Sequence, residues 1–292
     1  MTPNTLPLDS KIGTVYLRVS RLENALSFYT QLLGFKLLSQ EGVTALLSAS
    51  GSPPAQIVLV SNPLAAPKEP HTTGLYHLAI RLPDRQALGQ LLQRLIEQRW
   101  AIFGGSDHLV SEALYLADQD RNGIELYVDK PRETWPYIND SLVMSSEPLN
   151  YRALIEAAGD AAWLGIHPAT DNGHIHLQVS DLAQSERFYH ELVGLDVTQR
   201  NYPGALFLSA GGYHHHLGMN IWNSRGGRPS SPDRAGLIAF ELLIPDREAR
   251  QQLLNRLERA GLSLEQPSPA MLGVEISDRM VLSDPDTIRV LI

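Results

Sequence analysis

The chain has 292 residues, 43% of them hydrophobic, with 32 acidic against 24 basic side chains and a formal net charge of −8. The acidic balance and the lack of a Lys/Arg-rich run argue against nucleic acid or an anionic membrane as partner. The absence of cysteine excludes disulfides, thiolate metal sites, iron–sulfur clusters and a cysteine nucleophile.

No apolar run approaches the ~20 residues of a membrane span. The stretch "MTPNTLPLDSKIGT" lacks a basic-then-apolar signal pattern. A soluble, cytoplasmic protein is expected.

The first element is "TVYLRV" from Thr14, whose alternation reads as a strand. An amphipathic helix over Leu22–Leu33 follows, closed by Gly34. Short strands come next, at "ALLSA" from Ala45 and "QIVLV" from Gln56. A second unit opens with "YHLAIRL" from Tyr76, passes Pro83 and Asp84 into a helix, and closes with "ALYLA" and "IELYV". The stretch from Pro131 to Asn172 opens on proline and turn formers and holds one helix, Leu149–Ala158, read as packing. Its apolar content marks an ordered connection rather than a free linker. A third unit runs from "HIHLQV" at His174 through "ALFLSA" to "HHHLGMNIW", and a fourth from "IAFELLI" at Ile238 to "DPDTIRVLI".

These units are copies. "FYTQLLGF" at Phe28–Phe35 returns as "FYHELVGL" at Phe188–Leu195, and "LPDRQALGQLLQRLIEQ" from Leu82 as "IPDREARQQLLNRLERA" from Ile244. Such self-similarity marks a duplicated architecture. The expected fold is α+β: four βαβββ modules in two pairs, forming curved mixed β-sheet clefts flanked by helices. The N-terminal half spans 1–131 with modules at about 11–62 and 73–130. An ordered linker with a helix spans 132–171. The C-terminal half spans 172–292 with modules at about 172–225 and 235–292.

The repeat is also a ruler for ligands. His77 lies seven residues before Asp84, His174 seven before Asp181 and Ala239 seven before Asp246, while Thr14 holds the matching place in unit one. On the closing strands only unit two offers an acid, Glu125. Unit three has Gly218 or Met219 in that region, unit one has none, and unit four, read with a two-residue deletion, has Arg289. Two imidazoles and a carboxylate are the facial-triad set of non-haem Fe(II) sites, and three protein ligands leave coordination positions open. If His77, Glu125 and His174 meet, units two and three pair face to face. Units one and four then form a second cleft, around Thr14, Ala239 and Arg289, that cannot hold a metal in the same way.

The fourfold βαβββ plan, the "FYxxLLGF" helices and the His/His/Glu positions resemble the vicinal oxygen chelate superfamily, which includes glyoxalases, antibiotic-resistance binding proteins and extradiol dioxygenases. The strings "TGLYHLAIRLPDR", "DHLVSEALYLADQDRNGIELYVDKPRETW" and "GGYHHHLGMNIW" look most like the two-domain catechol 2,3-dioxygenase branch. The resemblance spans nearly the whole chain. It implies metal ligands at His77, His174 and Glu125 and an acid/base histidine at His215, with His214 as the alternative register. It also implies second-sphere roles for Tyr115 and His108, a cofactor of Fe(II) or Mn(II), and a small aromatic diol and O2 as substrates. The ligand set departs from the familiar two-domain enzymes, where ligands come from the two units of the C-terminal half; here unit four lacks both.

Three functions remain open at this level: an extradiol ring-cleaving dioxygenase, a glyoxalase-type isomerase or lyase, and a non-catalytic small-molecule-binding protein. The glyoxalase chemistry wants a second carboxylate where unit three offers Gly218 and Met219. His176, on the same strand face as His174, reads as cleft-lining. Tyr127 reads as facing the same cleft or packing, and Trp163 and Trp222 as core or interface residues. Monomer and homo-oligomer are both left open.

Overall fold

A computed structural model describes residues 5–139, 141–160 and 162–292. Residues 1–4 of the N-terminal half and positions 140 and 161 of the linker lie outside the described residues. Unit one contributes β1 (Lys11–Val19), α1 (Leu22–Leu26), β2 (Lys36–Glu41), β3 (Thr44–Ser48) and β4 (Ile57–Ser61). In β1, Val15, Leu17 and Val19 face the core, and Thr14, Tyr16 and Arg18 point the other way.

The helix expected over Leu22–Leu33 is α-helical only as far as Leu26. It then widens into a π-helical stretch, Ser27–Leu32. Unit three does the same, with α4 (Leu182–Glu186) running into a π-helical Arg187–Val193. The wider winding buries two adjacent rings edge to face, Phe28 on Tyr29 and Phe188 on Tyr189, each pair 4.9 Å apart. It also aims each tyrosine hydroxyl at a buried aspartate: Tyr29 donates to Asp118 at 3.3 Å and Tyr189 to Asp284 at 2.8 Å.

Unit two contains β5 (Gly74–Arg81), α2 (Arg85–Glu97), β6 (Gly104–Asp107), β7 (Ser111–Ala117) and β8 (Gly123–Asp129). Asp84 caps α2 by accepting from the Ala87 amide at 2.8 Å, as an aspartate before a helix does. The connection forms β9 (Tyr137–Ile138), β10 (Ser141–Leu142), β11 (Glu147–Pro148) and α3 (Tyr151–Ala158). Strand β11 extends the sheet beside β6, and α3 packs on α2. Unit three continues with β12 (Asp171–Gln178), which precedes α4, then β13 (Asp196–Gln199), β14 (Ala205–Ser209) and β15 (Leu217–Asn220). Unit four is β16 (Gly236–Leu243), α5 (Arg247–Arg259), the short α6 (Pro269–Leu272), β17 (Val281–Ser283) and β18 (Arg289–Leu291). Where the other units place a third closing strand, unit four places α6 and a single bridge from Glu265 to Val281.

The units pair as the histidine pattern expects. Units two and three build a nine-stranded sheet, β11-β6-β7-β8-β5-β12-β15-β14-β13, and units one and four a seven-stranded one, β17-β18-β16-β1-β4-β3-β2. One apolar core runs beneath both. The second cleft is filled beneath α6. Tyr16, Val58, Ala239, Val281 and Leu291 close over it with Leu272 of α6 as a separate buried cluster.

Strand register corrects one sequence alignment. Asp118 and Asp284 hold equivalent turns, each accepting from the amide four residues on, Asn122 or Ile288. Counted from them, no deletion exists. Glu125 stands opposite Ala79, and Leu291 opposite Glu241. Leu291 therefore takes the place of Glu125, and Arg289 lies two residues earlier, opposite Ala239. The absence of an acid in unit four stands; its occupant differs.

Asp284 is buried, and burial outweighs the hydrogen bonds it accepts, pushing its carboxyl up to about 7. A carboxyl raised in the folded state stabilises at low pH and loses that contribution as pH rises through the folded value. Asp284→Asn, neutral at every pH, is therefore expected to gain on wild type between pH 5 and pH 8 by on the order of 2 kcal/mol. Urea midpoints of both proteins at the two pH values check this; an offset equal at both contradicts it.

Candidate metal centre and its cleft

Three neighbouring strands build the centre. Strand β5 lies between β12, antiparallel to it, and β8, parallel to it. Ala79 on β5 stands opposite His174 on one side and Glu125 on the other, and His77 is two residues earlier on the same face. The small Ala79 side chain leaves the space above β5 to its neighbours. The ligand-type atoms of His77, Glu125 and His174 lie within 4.8 Å of one another, and all three residues are buried. His77 Nε2 is 2.8 Å and His174 Nε2 3.2 Å from Glu125 Oε2.

The protonation states suit a cation. Burial pushes His174 down to about 4, so its imidazole is neutral at pH 7. Burial alone would raise Glu125, but His174 and His77 hold it well below the usual carboxylate range. Neutral imidazole and carboxylate are the forms that ligate metals. Among the described residues, His77 Nε2 lacks hydrogen-bond geometry toward the carboxylate despite its closeness, and His174 Nδ1 is also unpartnered. A buried polar atom left so costs about 1–3 kcal/mol. A shared cation would relieve that cost at His77, so the residues present fit a metal ion.

The triad opens on a cavity of about 230 Å³ walled by Tyr76, His176, Phe207 and Trp222 on one side and His108, Tyr115 and Met144–Ser146 on the other. Tyr115 pairs with Glu125 across β7 and β8 and shares its face. His108 Nε2 lies 2.6 Å from the Tyr115 hydroxyl, and its Nδ1 lies 2.6 Å from the Ser145 carbonyl. A carbonyl only accepts, so Nδ1 carries the proton, and Nε2 accepts from Tyr115.

The "HHHLG" run resolves into three roles. His215 lines the cavity, its ring 4.1 Å from that of His174. His214 is fully buried behind it: its Nδ1 lies 2.7 Å from His215 Nδ1 and its Nε2 2.9 Å from Asp129. Burial pushes Asp129 up, but His214 and Arg81 outweigh this and hold it below the usual range, so it is an ionised acceptor. An acceptor at Asp129 and a lone pair on His214 Nδ1 then fix the chain. His214 donates from Nε2, His215 donates from Nδ1 to His214, and His215 Nε2 keeps a lone pair. His216 Nδ1 accepts from the Ala210 amide.

Other sequence readings are sharpened or corrected. His176 lines the cavity, with Nε2 at 3.1 Å from Asn220, and lies outside the three-ligand group. A Cβ on Gly218 would sit 2.9 Å from the His176 ring, so glycine at the counterpart of Glu125 makes room for that ring. Tyr127 is fully buried and donates to Tyr213, which donates to Asp129. A Cβ on Gly173 would meet the Tyr127 hydroxyl at 1.7 Å, which explains the glycine before His174. Trp222, expected in a core or interface, is 44% exposed and walls the cavity. Trp163 packs partly buried on the core.

Sequence reasoning missed Asp129, although it follows Glu125 and Tyr127 at strand period two. It also missed the wall from Met144 to Ser146, for which a connecting segment carries no signal.

Residues 11–127 and 172–292 match the family described as the Glyoxalase/Bleomycin resistance protein/Dioxygenase superfamily. The chain belongs to that superfamily. It is 44% identical over 262 residues to the Catechol-2,3-dioxygenase of Bacillus subtilis (strain 168), covering 88% of this chain and 91% of that protein. A solved Bacillus subtilis structure superposes with TM-score 0.65 at 11% identity, covering 98% of this chain and 85% of that one. Glyoxalase I from Zea mays superposes at 0.58 with 18% identity, over 97% and 92%. At these identities the superpositions speak to the superfamily fold. Among the described residues no helix is long and apolar enough to cross a membrane.

The tautomer chain is testable without turnover. Asp129→Asn can donate as well as accept, so His215 is expected to change from the Nδ1–H form to a mixture. Nitrogen-15 NMR of histidine-labelled, metal-free protein reads this directly; an unchanged His215 tautomer contradicts the chain.

Proposed function

We propose that this protein is an extradiol ring-cleaving dioxygenase that inserts both atoms of O2 into a catechol-type substrate beside its vicinal hydroxyls, with a metal held by His77, Glu125 and His174. The observation that carries this reading is the convergence of a two-histidine, one-carboxylate set on the floor of an aromatic-walled cavity. The 44% identity to a protein named catechol-2,3-dioxygenase supports it. Fe(II) is the metal proposed, and Mn(II) accepts the same ligands. Bound there, the ion supplies a Lewis acid and redox centre with open positions that lowers the pKa of diol oxygens.

The chain's own residues do the rest. Tyr76, Phe207 and Trp222 hold the ring plane and keep water out. His215 takes a diol proton at Nε2 and later returns one to an oxygen of the opening ring; a buried neutral imidazole serves as the base. Asp129 and His214 keep that nitrogen free. The Tyr115–His108 pair hydrogen-bonds a substrate oxygen and fixes its pose. A glyoxalase-type reaction is disfavoured because Gly218 and the His176 ring occupy the place of a fourth carboxylate ligand.

Reconstitution with Fe(II) under anaerobic conditions, then addition of catechol and O2, is expected to give a yellow ring-opened product with one O2 consumed per catechol. His77→Ala, Glu125→Ala and His174→Ala are each expected to lose the metal by elemental analysis. His215→Asn keeps the metal and loses about 10²–10⁴-fold in kcat. Metal retained in all three ligand variants would sink the site; a loaded protein that takes up no O2 with any catechol would sink the activity.

A further inference from the structure

A second cavity, of about 210 Å³, lies at the seam of the two sheets, away from the triad. Four cationic side chains line it, Arg18, Lys68, Arg234 and Arg289, against one carboxylate, Asp286. Arg234 is occupied by Glu69, and Asp286 accepts from the Ser180 amide. The other three cations have no ion pair among the described residues. Among the described residues Lys68 donates only to neutral groups, the Leu75 carbonyl at 2.8 Å and the Gln178 side chain. Arg18 and Arg289 stand on strands either side of β16, opposite Gly236 and Ala239, and Gly236 lines the cavity floor between them. Nothing lies within 4 Å of where a Gly236 Cβ would stand.

A second observation is independent of charge. Thr73 lines the same cavity, is 1% exposed, and its Oγ1 has no hydrogen-bond partner among the described residues. Buried hydroxyls are nearly always satisfied, so this one marks a missing group. We propose that the cavity binds a small oxyanion, a phosphate or carboxylate group, held by Arg18, Arg289 and Lys68 with the Thr73 hydroxyl as a further donor. Burial and the neighbouring Arg289 hold Arg18 below the usual arginine range despite the opposing pull of Asp233, and an anion between the two arginines removes their repulsion. The site shares no residue with the triad and stands apart from the proposed ring cleavage. Lys68 nonetheless ties it to β5 and β12, the strands that carry His77 and His174.

Inorganic phosphate and malonate, titrated separately into the metal-loaded protein by calorimetry at ionic strength held constant with chloride, test this. Saturable binding of either is expected. Phosphate alone points to a phosphate ester, malonate alone to an organic acid, and both to a general oxyanion site. Arg18→Gln combined with Arg289→Gln is expected to weaken binding roughly tenfold to a hundredfold with metal content unchanged. Thr73→Val breaks no bond within the protein, so it weakens binding while leaving the ligand-free melting temperature unchanged or higher. Binding of neither anion, or affinity unaltered by both sets of substitutions, overturns the proposal.

Discussion

The antiparallel seam between β5 and β12 is the constraint on which the site depends. It joins the two halves of the chain and sets His77 opposite His176 and Ala79 opposite His174. Because β8 lies on the other flank of β5 with Glu125 also against Ala79, one register choice aligns the three strands that matter. A slip of one residue along the seam would turn His174 to the opposite face. The duplication is thus more than a doubling of mass: a centre whose ligands come from both halves exists only while those halves are paired.

The same duplication yields two clefts of unequal fate. Over the nine-stranded sheet, polar and aromatic side chains surround an open cavity. Over the seven-stranded sheet, the equivalent positions are Tyr16, Val58, Ala239 and Leu291, and α6 lays Leu272 across them. Filling that part of the cleft with apolar side chains stabilises the pair by burying surface, and the one buried carboxylate beside it among the described residues, Glu241, is partnered by Arg279.

Much of this was legible in the sequence because both relevant periods are short. The twofold strand period together with the repeat located His77, His174 and Glu125, and the Pro-Asp pairs marked the caps of α2 and α5. Three things were not legible. The π-helical widening after Leu26 depends on seating two adjacent rings in the core, and no residue pattern announces it. Arg289 was misplaced because a two-residue deletion was read between the Asp284 turn and β18, where the hydrogen bonds show a turn of the same length as the one at Asp118. The wall from Met144 to Ser146 comes from a segment whose position follows from β11 pairing with β6, a contact distant in sequence from the triad.

Beyond the triad, the site is organised by acceptors that cannot donate. The Ser145 carbonyl fixes the proton on His108 Nδ1, which turns Nε2 toward Tyr115. The Asp129 carboxylate, already holding Tyr213, fixes His214 and through it His215. In each arm a group with no proton of its own sets the direction of every hydrogen bond that follows. A neutral histidine without such a partner can exchange tautomers at little cost. The run of three histidines therefore holds one that faces the cavity, one that directs it, and one whose Nδ1 accepts from the turn at Ala210, and their order along the strand end separates those tasks.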